Sequence, residues 1–185
     1  MSDQTAHFVT GEFIKPELAV THFHLREGDI VADFGAGRGY FTKLVAEIVG
    51  PEGRVYALEI QKNLVETIGE MAKQEGLEQI DTLWCDIEAV GGTKLADQSI
   101  EVAVVVNTLF LVEDRDSTVS EIKRTLRPGG KLFVIDWTDS HGGLGPAPEH
   151  VINEIDATAL FETAGFTKER TFSAGEHHYG VSFRL

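Results

Sequence analysis

Three alternate glycines, Gly35, Gly37 and Gly39, follow a run of strand character and precede a helical pattern. Glycine lets the backbone approach a ligand closely and adopt positive φ, and the N-terminus of the next helix offers N–H donors. Such a loop can bind a nucleotide, a dinucleotide or a carboxylate, and a plain tight turn would also account for the glycines. Dinucleotide-binding loops have the spacing Gly-x-Gly-x-x-Gly, but Tyr40 occupies the position of the last glycine here. The Gly-Lys-Ser/Thr ending of phosphate-binding loops is absent from the sequence.

Polar side chains stand at the ends of three further predicted strands. Glu59 ends the second strand, 20 residues after Gly39, Asp86 follows the third and Asn107 ends the fourth. In an open α/β sheet, ligands bind beyond the carboxyl ends of the strands. Glu59 is placed to accept hydrogen bonds from both ribose hydroxyls, and Asp86 to accept one from an adenine amino group. The alternative is that these residues are solvated strand ends or turn formers.

Short apolar runs alternate with helical patterns along the chain, which indicates the elements that carry these residues. The predicted strands are 29–34, 54–59, 79–85, 101–107, 131–136, 167–173 and 178–185. The predicted helices are 16–24, 40–49, one around 64–72, 114–126 and 153–165, the last with Asn153 as its cap. The alternation predicts an α/β fold with a mainly parallel sheet and helices on both faces. The last two strands leave no room for a crossover helix, so we expect them to be antiparallel.

Three segments resemble the signatures of one family, the class I S-adenosylmethionine-dependent methyltransferases. They are 31–42, 55–59 and 126–132. The resemblance covers nearly the whole chain and is closest to small single-domain enzymes of methyltransferase type 11, which are similar to ubiquinone/menaquinone C-methyltransferases. It implies a three-layer α/β/α Rossmann-like fold with seven strands in the order 3-2-1-4-5-7-6, strand 7 antiparallel. It also implies S-adenosylmethionine as cofactor and methyl transfer by in-line displacement.

The same resemblance implies roles for ten residues in cofactor binding. The three glycines would face the methionine part, Asp33 would support the loop, and Glu59 would hold the ribose. Ile60 would pack on the adenine, Asp86 and Ile87 would contact its edge, and Asn107 would lie beside the sulfonium and the acceptor. The complete implied set is Asp33, Gly35, Ala36, Gly37, Gly39, Glu59, Ile60, Asp86, Ile87 and Asn107.

The residues that would bind the methyl acceptor are less clearly marked in the sequence, and no catalytic residue is identified. His141 and His150 are the candidates to test first, because the glycine- and proline-rich segment 140–152 could close as a lid. Asp136 and Trp137, at the end of the fifth strand, are equally candidates to line the pocket. The alternative for the histidines is that they are surface or hydrogen-bonded residues. Residues 1–27 are expected to form an N-terminal cap segment. Residues 8–25 read as an ordinary amphipathic helix, and the resemblance implies that such a segment covers the cofactor.

We expect residues 1–185 to form a single domain. Its composition limits the classes of molecule that it could bind. The net charge is −14 and the basic residues are scattered, which disfavours nucleic acid and favours a small-molecule acceptor. The most apolar run, 102–112, is too short to span a bilayer. We expect no metal site, because the single cysteine, Cys85, excludes a multi-cysteine site and the adjacent His177 and His178 would point to opposite faces of a strand. We saw no leader and expect a cytoplasmic protein. The alternatives are a non-catalytic S-adenosylmethionine-binding module or partner subunit, and a nicotinamide-dependent oxidoreductase. The oligomeric state is left open.

Overall fold

The computed structural model describes residues 14–140 and 145–185. The strands are β1 (Ile30–Phe34), β2 (Arg54–Glu59), β3 (Ile80–Trp84), β4 (Ile100–Val106), β5 (Leu126–Trp137), β6 (Thr167–Gly175) and β7 (His178–Arg184). The α-helices are α1 (Pro16–Ala19), α2 (Tyr40–Val49), α3 (Lys62–Glu75), α4 (Arg115–Thr125) and α5 (Glu154–Thr163). Two 3₁₀ turns cover Val20–Phe23 and Pro148–His150.

The seven strands form one sheet in the order β3-β2-β1-β4-β5-β7-β6, as the resemblance implied. Strands β1 to β5 pair in parallel, and β7 pairs antiparallel with both β5 and β6. The order reverses between β1 and β4, because the chain moves outward to β3 before it returns to the centre. This switch point places the ends of β1 and β4 side by side, where open α/β sheets bind ligands. The predicted α/β/α fold class is confirmed.

Both faces of the sheet are covered, because successive residues of a strand point to opposite sides. On β4, Ala103 and Val105 pack into the core shared with α4 and α5, whereas Val102 and Val104 pack into the core shared with α1 and α2. A strand buried on both faces requires the continuous apolar run that the sequence shows here. The central strand β4 is therefore held from both faces, and its carboxyl end lies where a polar residue such as Asn107 can face a ligand.

Helix starts follow the local sequence closely. The Asn153 side chain accepts a hydrogen bond from the Asp156 N–H at 3.0 Å and caps α5 as predicted. Asp114 caps α4 by accepting from the Ser117 N–H at 3.0 Å. Side-chain oxygens at these positions satisfy amides that have no partner within the helix.

One strand begins earlier than predicted. We predicted a helix that ends at residue 126 and a strand at 131–136, but β5 begins at Leu126. Leu126 pairs with Ile100, and the Gly129 N–H donates to the Leu185 carbonyl at 2.8 Å. These partners come from distant parts of the chain, so the local glycine and proline signal does not reveal them.

Candidate functional site

A cavity of about 680 Å³ opens at the carboxyl ends of β1, β2 and β4 and beside the segment after β3. This volume lies within the range of small-molecule binding sites, roughly 300–1,000 Å³. The predicted cofactor-binding residues that line it are Asp33, Gly35, Ala36, Gly37, Glu59, Ile60, Asp86, Ile87 and Asn107. The structure therefore brings the polar strand ends together with the glycine loop, while Gly39 is not part of the lining.

The amides of the glycine loop bind to the protein itself. The Gly35 and Ala36 N–H groups donate to the Leu58 carbonyl at 2.9 and 3.0 Å. The Gly37 N–H donates to Glu59 Oε2 at 2.9 Å. Loops that cradle phosphate instead direct successive free N–H groups at the anion. These three amides therefore offer a close approach of the backbone rather than an anion cradle. The free N–H donors that we predicted belong to the N-terminus of α2, which begins at Tyr40, and stay a prediction.

Gly39 has a packing role that the spacing alone does not reveal. It precedes α2 with φ of +81°, in the left-handed region that favours glycine. A Cβ atom at this position would lie 3.0 Å from Ile68 and 3.3 Å from Met71 on α3. Its missing side chain thus lets α3 pack closely against the start of α2.

Glu59 is held in one orientation by the backbone around it. The side chain is buried, with 6% exposed. Its Oε1 accepts from the Gln61 N–H and its Oε2 from the Gly37 N–H, both at 2.9 Å. A carboxylate offers about four lone-pair positions, so one on each oxygen is left over. Two acceptors fixed side by side suit a pair of vicinal hydroxyls.

Asp33 connects the end of β1 to the start of α2. The buried carboxyl accepts a hydrogen bond from the Thr42 hydroxyl at 2.6 Å. Burial raises the pKa of Asp33 to about 6, and the hydrogen bond from Thr42 opposes that rise. The contact sets the angle at which the glycine loop leaves the sheet, which agrees with a supporting role.

Asp86 lies at the rim of the cavity, between two aliphatic side chains of the lining. It is exposed, and its Oδ1 accepts from the Glu88 N–H at 2.9 Å, which holds the carboxylate in place. Ile60 at the end of β2 is 59% exposed, and Ile87 follows Asp86 directly. Apolar surfaces next to a carboxylate acceptor suit a flat base that carries an amino group.

Asn107 combines two costly features at the cavity wall. Its φ is +51°, which is uncommon for a residue other than glycine. Its Oδ1 is buried and has no hydrogen-bond partner in the described parts of the chain. Each feature typically costs about 1–3 kcal/mol, and such strain concentrates at functional sites. A ligand that donates a hydrogen bond would satisfy the free amide oxygen.

The lining also includes a group of apolar and aromatic residues, which we call the acceptor side. Its members are Ile14, Pro16, Tyr40, Phe41, Val106, Phe110, Leu111, Val112 and Trp137. Sequence reasoning had proposed Trp137, and Ile14 and Pro16 lie in the N-terminal segment that we expected to cover the cofactor, but it missed the others. The segment after β4 could have been found by its position, because it leaves the same edge of the sheet as Asn107. Asp136 does not line the cavity but lies fully buried behind it.

Of the two histidine candidates, the described residues include only His150. His150 is exposed in the second 3₁₀ turn and is not a lining residue. His141 lies outside the described residues, so the lid over 140–152 and the catalytic role of His141 stay predictions. His178 is buried against Trp137, with ring centroids 4.2 Å apart, and burial lowers its pKa to about 4. Within residues 14–140 and 145–185, no cluster of His, Cys, Asp and Glu could hold a metal ion.

Charge in the cavity has one predominant sign. Four carboxylates line it, those of Asp33, Glu59, Asp86 and Glu88, against one guanidinium, that of Arg38. A cleft lined by one sign of charge concentrates ligands of the opposite sign. The site therefore favours a ligand with positive charge.

Among the described helices, none is long and apolar enough to cross a membrane.

Comparison with known proteins shows which family the chain belongs to. Residues 25–165 match a family described as a methyltransferase domain. The ubiquinone/menaquinone biosynthesis C-methyltransferase of Hydrogenovibrio crunogenus is 30% identical over 115 residues, which are 62% of this chain and 44% of that protein. That of Hahella chejuensis is 29% identical over 115 residues, covering 62% of this chain and 45% of the relative. The chain thus spans about half the length of these curated relatives.

Solved structures agree with this family. A SAM-dependent methyltransferase from Aquifex aeolicus has a TM-score of 0.85 at 27% identity, covering 94% of this chain and 90% of that one. The [4+2]-cyclase SpnF has a TM-score of 0.77 at 15% identity, covering 91% of this chain and 79% of that one, which shows the shared fold alone. The family and the Aquifex structure imply S-adenosylmethionine as cofactor. The chain belongs to the methyltransferase domain family and is a class I S-adenosylmethionine-dependent methyltransferase by sequence and fold.

Proposed function

We propose that this chain binds S-adenosylmethionine in the cavity and transfers its methyl group to a small molecule bound on the acceptor side. The observation that carries the proposal is the charge of the site. Four acidic residues line the cavity, and the Gly35, Ala36 and Gly37 amides of the glycine loop already have partners. S-adenosylmethionine carries a cationic sulfonium and an ammonium group, which such a site attracts.

The same features argue against a nicotinamide cofactor. The pyrophosphate of a dinucleotide is anionic, and Rossmann loops bind it with free amides at a helix N-terminus. Here the carboxylates would repel it, and Tyr40 replaces the glycine that the dinucleotide spacing requires. The oxidoreductase hypothesis therefore loses its support from the glycine loop.

The lining residues fit the proposed cofactor part by part. Glu59 would accept from the two ribose hydroxyls, and Asp86 would accept from the adenine amino group between Ile60 and Ile87. The unpaired Asn107 Oδ1 would accept a hydrogen bond beside the reacting centre. When bound, the cofactor supplies a methyl group activated by the positive sulfur. The contribution of the chain is to hold nucleophile, carbon and sulfur in line and to exclude water.

The acceptor side supports a small and largely apolar acceptor. Its walls carry four aromatic side chains, Tyr40, Phe41, Phe110 and Trp137. The net charge of −14 works against a nucleic-acid acceptor. The composition and the buried single thiol of Cys85 support a cytoplasmic location, as part of the same proposal.

Calorimetric titration with S-adenosylmethionine, S-adenosylhomocysteine and NAD tests the cofactor. We expect the sulfur compounds to bind and NAD not to bind. The Glu59→Gln variant should weaken their binding by about tenfold to a hundredfold, since hydrogen bonds to a charged group contribute about 1.5–3 kcal/mol. Glu52→Gln is the matched control, because Glu52 is exposed in the turn after α2. NAD binding, or equal effects of the two variants, would overturn the assignment.

Transfer of a radiolabelled methyl group tests the acceptor. A cell extract is divided by ultrafiltration into low-mass and macromolecular fractions, and each is incubated with labelled S-adenosylmethionine and the protein. Label that appears in the low-mass fraction and is lost with Glu59→Gln supports the proposal. Label in protein or nucleic acid contradicts it. Tight cofactor binding with no transfer to any fraction identifies a non-catalytic binding module instead.

A further inference from the structure

A buried carboxylate lies behind both walls of the acceptor side. Asp136 is fully buried at the end of β5. Its Oδ2 accepts from the Leu109 N–H at 2.9 Å, and its Oδ1 accepts from the Trp137 N–H at 2.8 Å. Leu109 lies between Thr108 and Phe110, which both line the cavity, and Trp137 lines it from β5. One side chain therefore holds the backbone of two separate cavity walls.

The first of these walls also reaches the cofactor side. The Asn107 N–H donates to the Ile135 carbonyl at 2.8 Å, so β5 holds this segment at two successive points. The Thr108 hydroxyl donates to the Phe34 and Val106 carbonyls, and Thr108 packs directly on Gly35. A shift of this wall would therefore move the groups on which acceptor and cofactor meet.

We propose that Asp136 is a positioning residue for methyl transfer, whose ionised carboxylate holds the Asn107–Phe110 wall and Trp137 at their working separation. This inference rests on the proposed function and adds a residue that neither lines the cavity nor touches a ligand. The geometry requires a carboxylate in particular. An amide has a single acceptor oxygen, and its NH₂ group would face the second N–H donor at hydrogen-bond distance. Asparagine must therefore lose one of the two contacts.

Protonation would have a similar effect, because an added proton weakens the acceptance of at least one N–H. Burial raises the pKa of Asp136 to about 7, although hydrogen bonds from Trp137 and Leu109 favour the charged form. The walls are then held most firmly above this pH and loosen below it. Methyl transfer should increase with pH as Asp136 ionises.

Other titratable and charged groups face these walls and must be separated from Asp136. Tyr179 on β7 pairs with Asp136 across the sheet, and burial raises its pKa beyond the range of interest. Glu154 and Asp156 of α5 act on that same Tyr179. Arg115 of α4 donates to the Leu109 carbonyl at 3.1 Å.

Two histidines of the β6–β7 hairpin lie near Trp137, and their effects must also be separated from those of Asp136. The His178 ring packs against the indole at an interplanar angle of 45°, and burial lowers its pKa to about 4, so it titrates in a different range. His177 pairs with Asp139 at 3.0 Å, and its side chain is 17% exposed. The His177→Gln variant removes this imidazole and its ion pair with Asp139 from the experiment.

Amide NMR of the ¹⁵N-labelled protein tests the inference without an acceptor. In the His177→Gln background, the Leu109 and Trp137 amide protons should titrate together with one midpoint near the pKa of Asp136. The Ser117 amide, which donates to Asp114, serves as an internal control and should not share that midpoint, because hydrogen bonds from Ser117 lower the pKa of Asp114. Independent midpoints, or no titration of either amide, would refute the shared role. This test stands even if the proposed function fails.

The methyl-transfer activity of the Asp136→Asn variant tests the inference on function. Asp116→Asn, at the exposed start of α4, is the matched control. At saturating labelled S-adenosylmethionine, transfer to the low-mass fraction should fall roughly tenfold to a hundredfold, as expected for a misplacement of about 1 Å. The remaining rate should lose its increase with pH. A wild-type rate and pH profile in Asp136→Asn would overturn the inference, as would a loss of rate with the pH profile retained.

Discussion

The contact between Gly35 and Thr108 can be tested by one added methyl group. Gly35 has φ of +78°, and a Cβ atom there would lie 2.6 Å from Thr108 Oγ1 and 2.7 Å from its Cγ2. Thr108 cannot relieve the clash by rotation, because both branches of its side chain lie in the way. Its hydroxyl is also held by the Phe34 and Val106 carbonyls, and the residue is buried.

Two contributions make up the expected cost of Gly35→Ala. A left-handed backbone conformation costs a non-glycine residue about 1–2 kcal/mol. Overpacking in a tight site adds about 1–3 kcal/mol. The free energy of unfolding should therefore fall by about 2–5 kcal/mol. Gly28→Ala isolates the first contribution, because Gly28 has φ of +87° and no atom within 4 Å of the added Cβ, so it should cost about 1–2 kcal/mol.

Urea unfolding monitored by circular dichroism measures both variants. A double-mutant cycle with Thr108→Ala separates the clash from the backbone strain, because it removes both branches at once. The Gly35→Ala/Thr108→Ala protein should recover about 1–3 kcal/mol relative to the sum of the single changes. Equal costs for Gly35→Ala and Gly28→Ala, or a cycle without coupling, would refute the close approach of these two walls.

Three further predictions concern stability and use the same unfolding assay. Burial raises the pKa of Asp33 from 3.8 to about 6, so the folded protein binds this proton more tightly than the unfolded chain. Stability should therefore fall by about 3 kcal/mol as pH rises from about 4 to about 6, and Asp33→Asn should flatten this slope; an unchanged slope would contradict it. Burial alone would raise the pKa of Glu121, but hydrogen bonds, chiefly from Arg124, hold it at about 2. Glu121→Gln should cost about 3–5 kcal/mol and the exposed Glu66→Gln almost nothing, and similar losses in both would argue against the buried pair. Asn153→Ala should cost about 1 kcal/mol by removing the cap of α5, and no loss would contradict the cap.

The parts of the fold that were predictable are those whose signals are local. The start of α5 at Asn153 depends on atoms three residues apart, and β4 shows its burial in its own residue types. The order of the strands was different, because it came from a family resemblance rather than from periodicity. The early start of β5 depends on pairing with Ile100 and Leu185, which no local pattern contains.

The candidate site divides in the same way. Glu59, Asp86 and Asn107 could be proposed from their places at strand ends, since topology alone brings such ends together. The direction of the loop amides could not be proposed, because it depends on the Leu58 carbonyl of a neighbouring strand. The contacts of Asp136 likewise involve Leu109, 27 residues earlier in the chain.

A crystal structure of the protein with S-adenosylhomocysteine tests the central claim most directly. We predict that the ribose hydroxyls bind Glu59, that the adenine lies between Ile60 and Ile87, and that the amino-acid part lies along Gly35–Gly37. The Asn107 amide oxygen should gain a hydrogen-bond donor. A ligand bound elsewhere, or one that leaves Glu59 without a contact, would contradict the assignment of this cavity as the cofactor site.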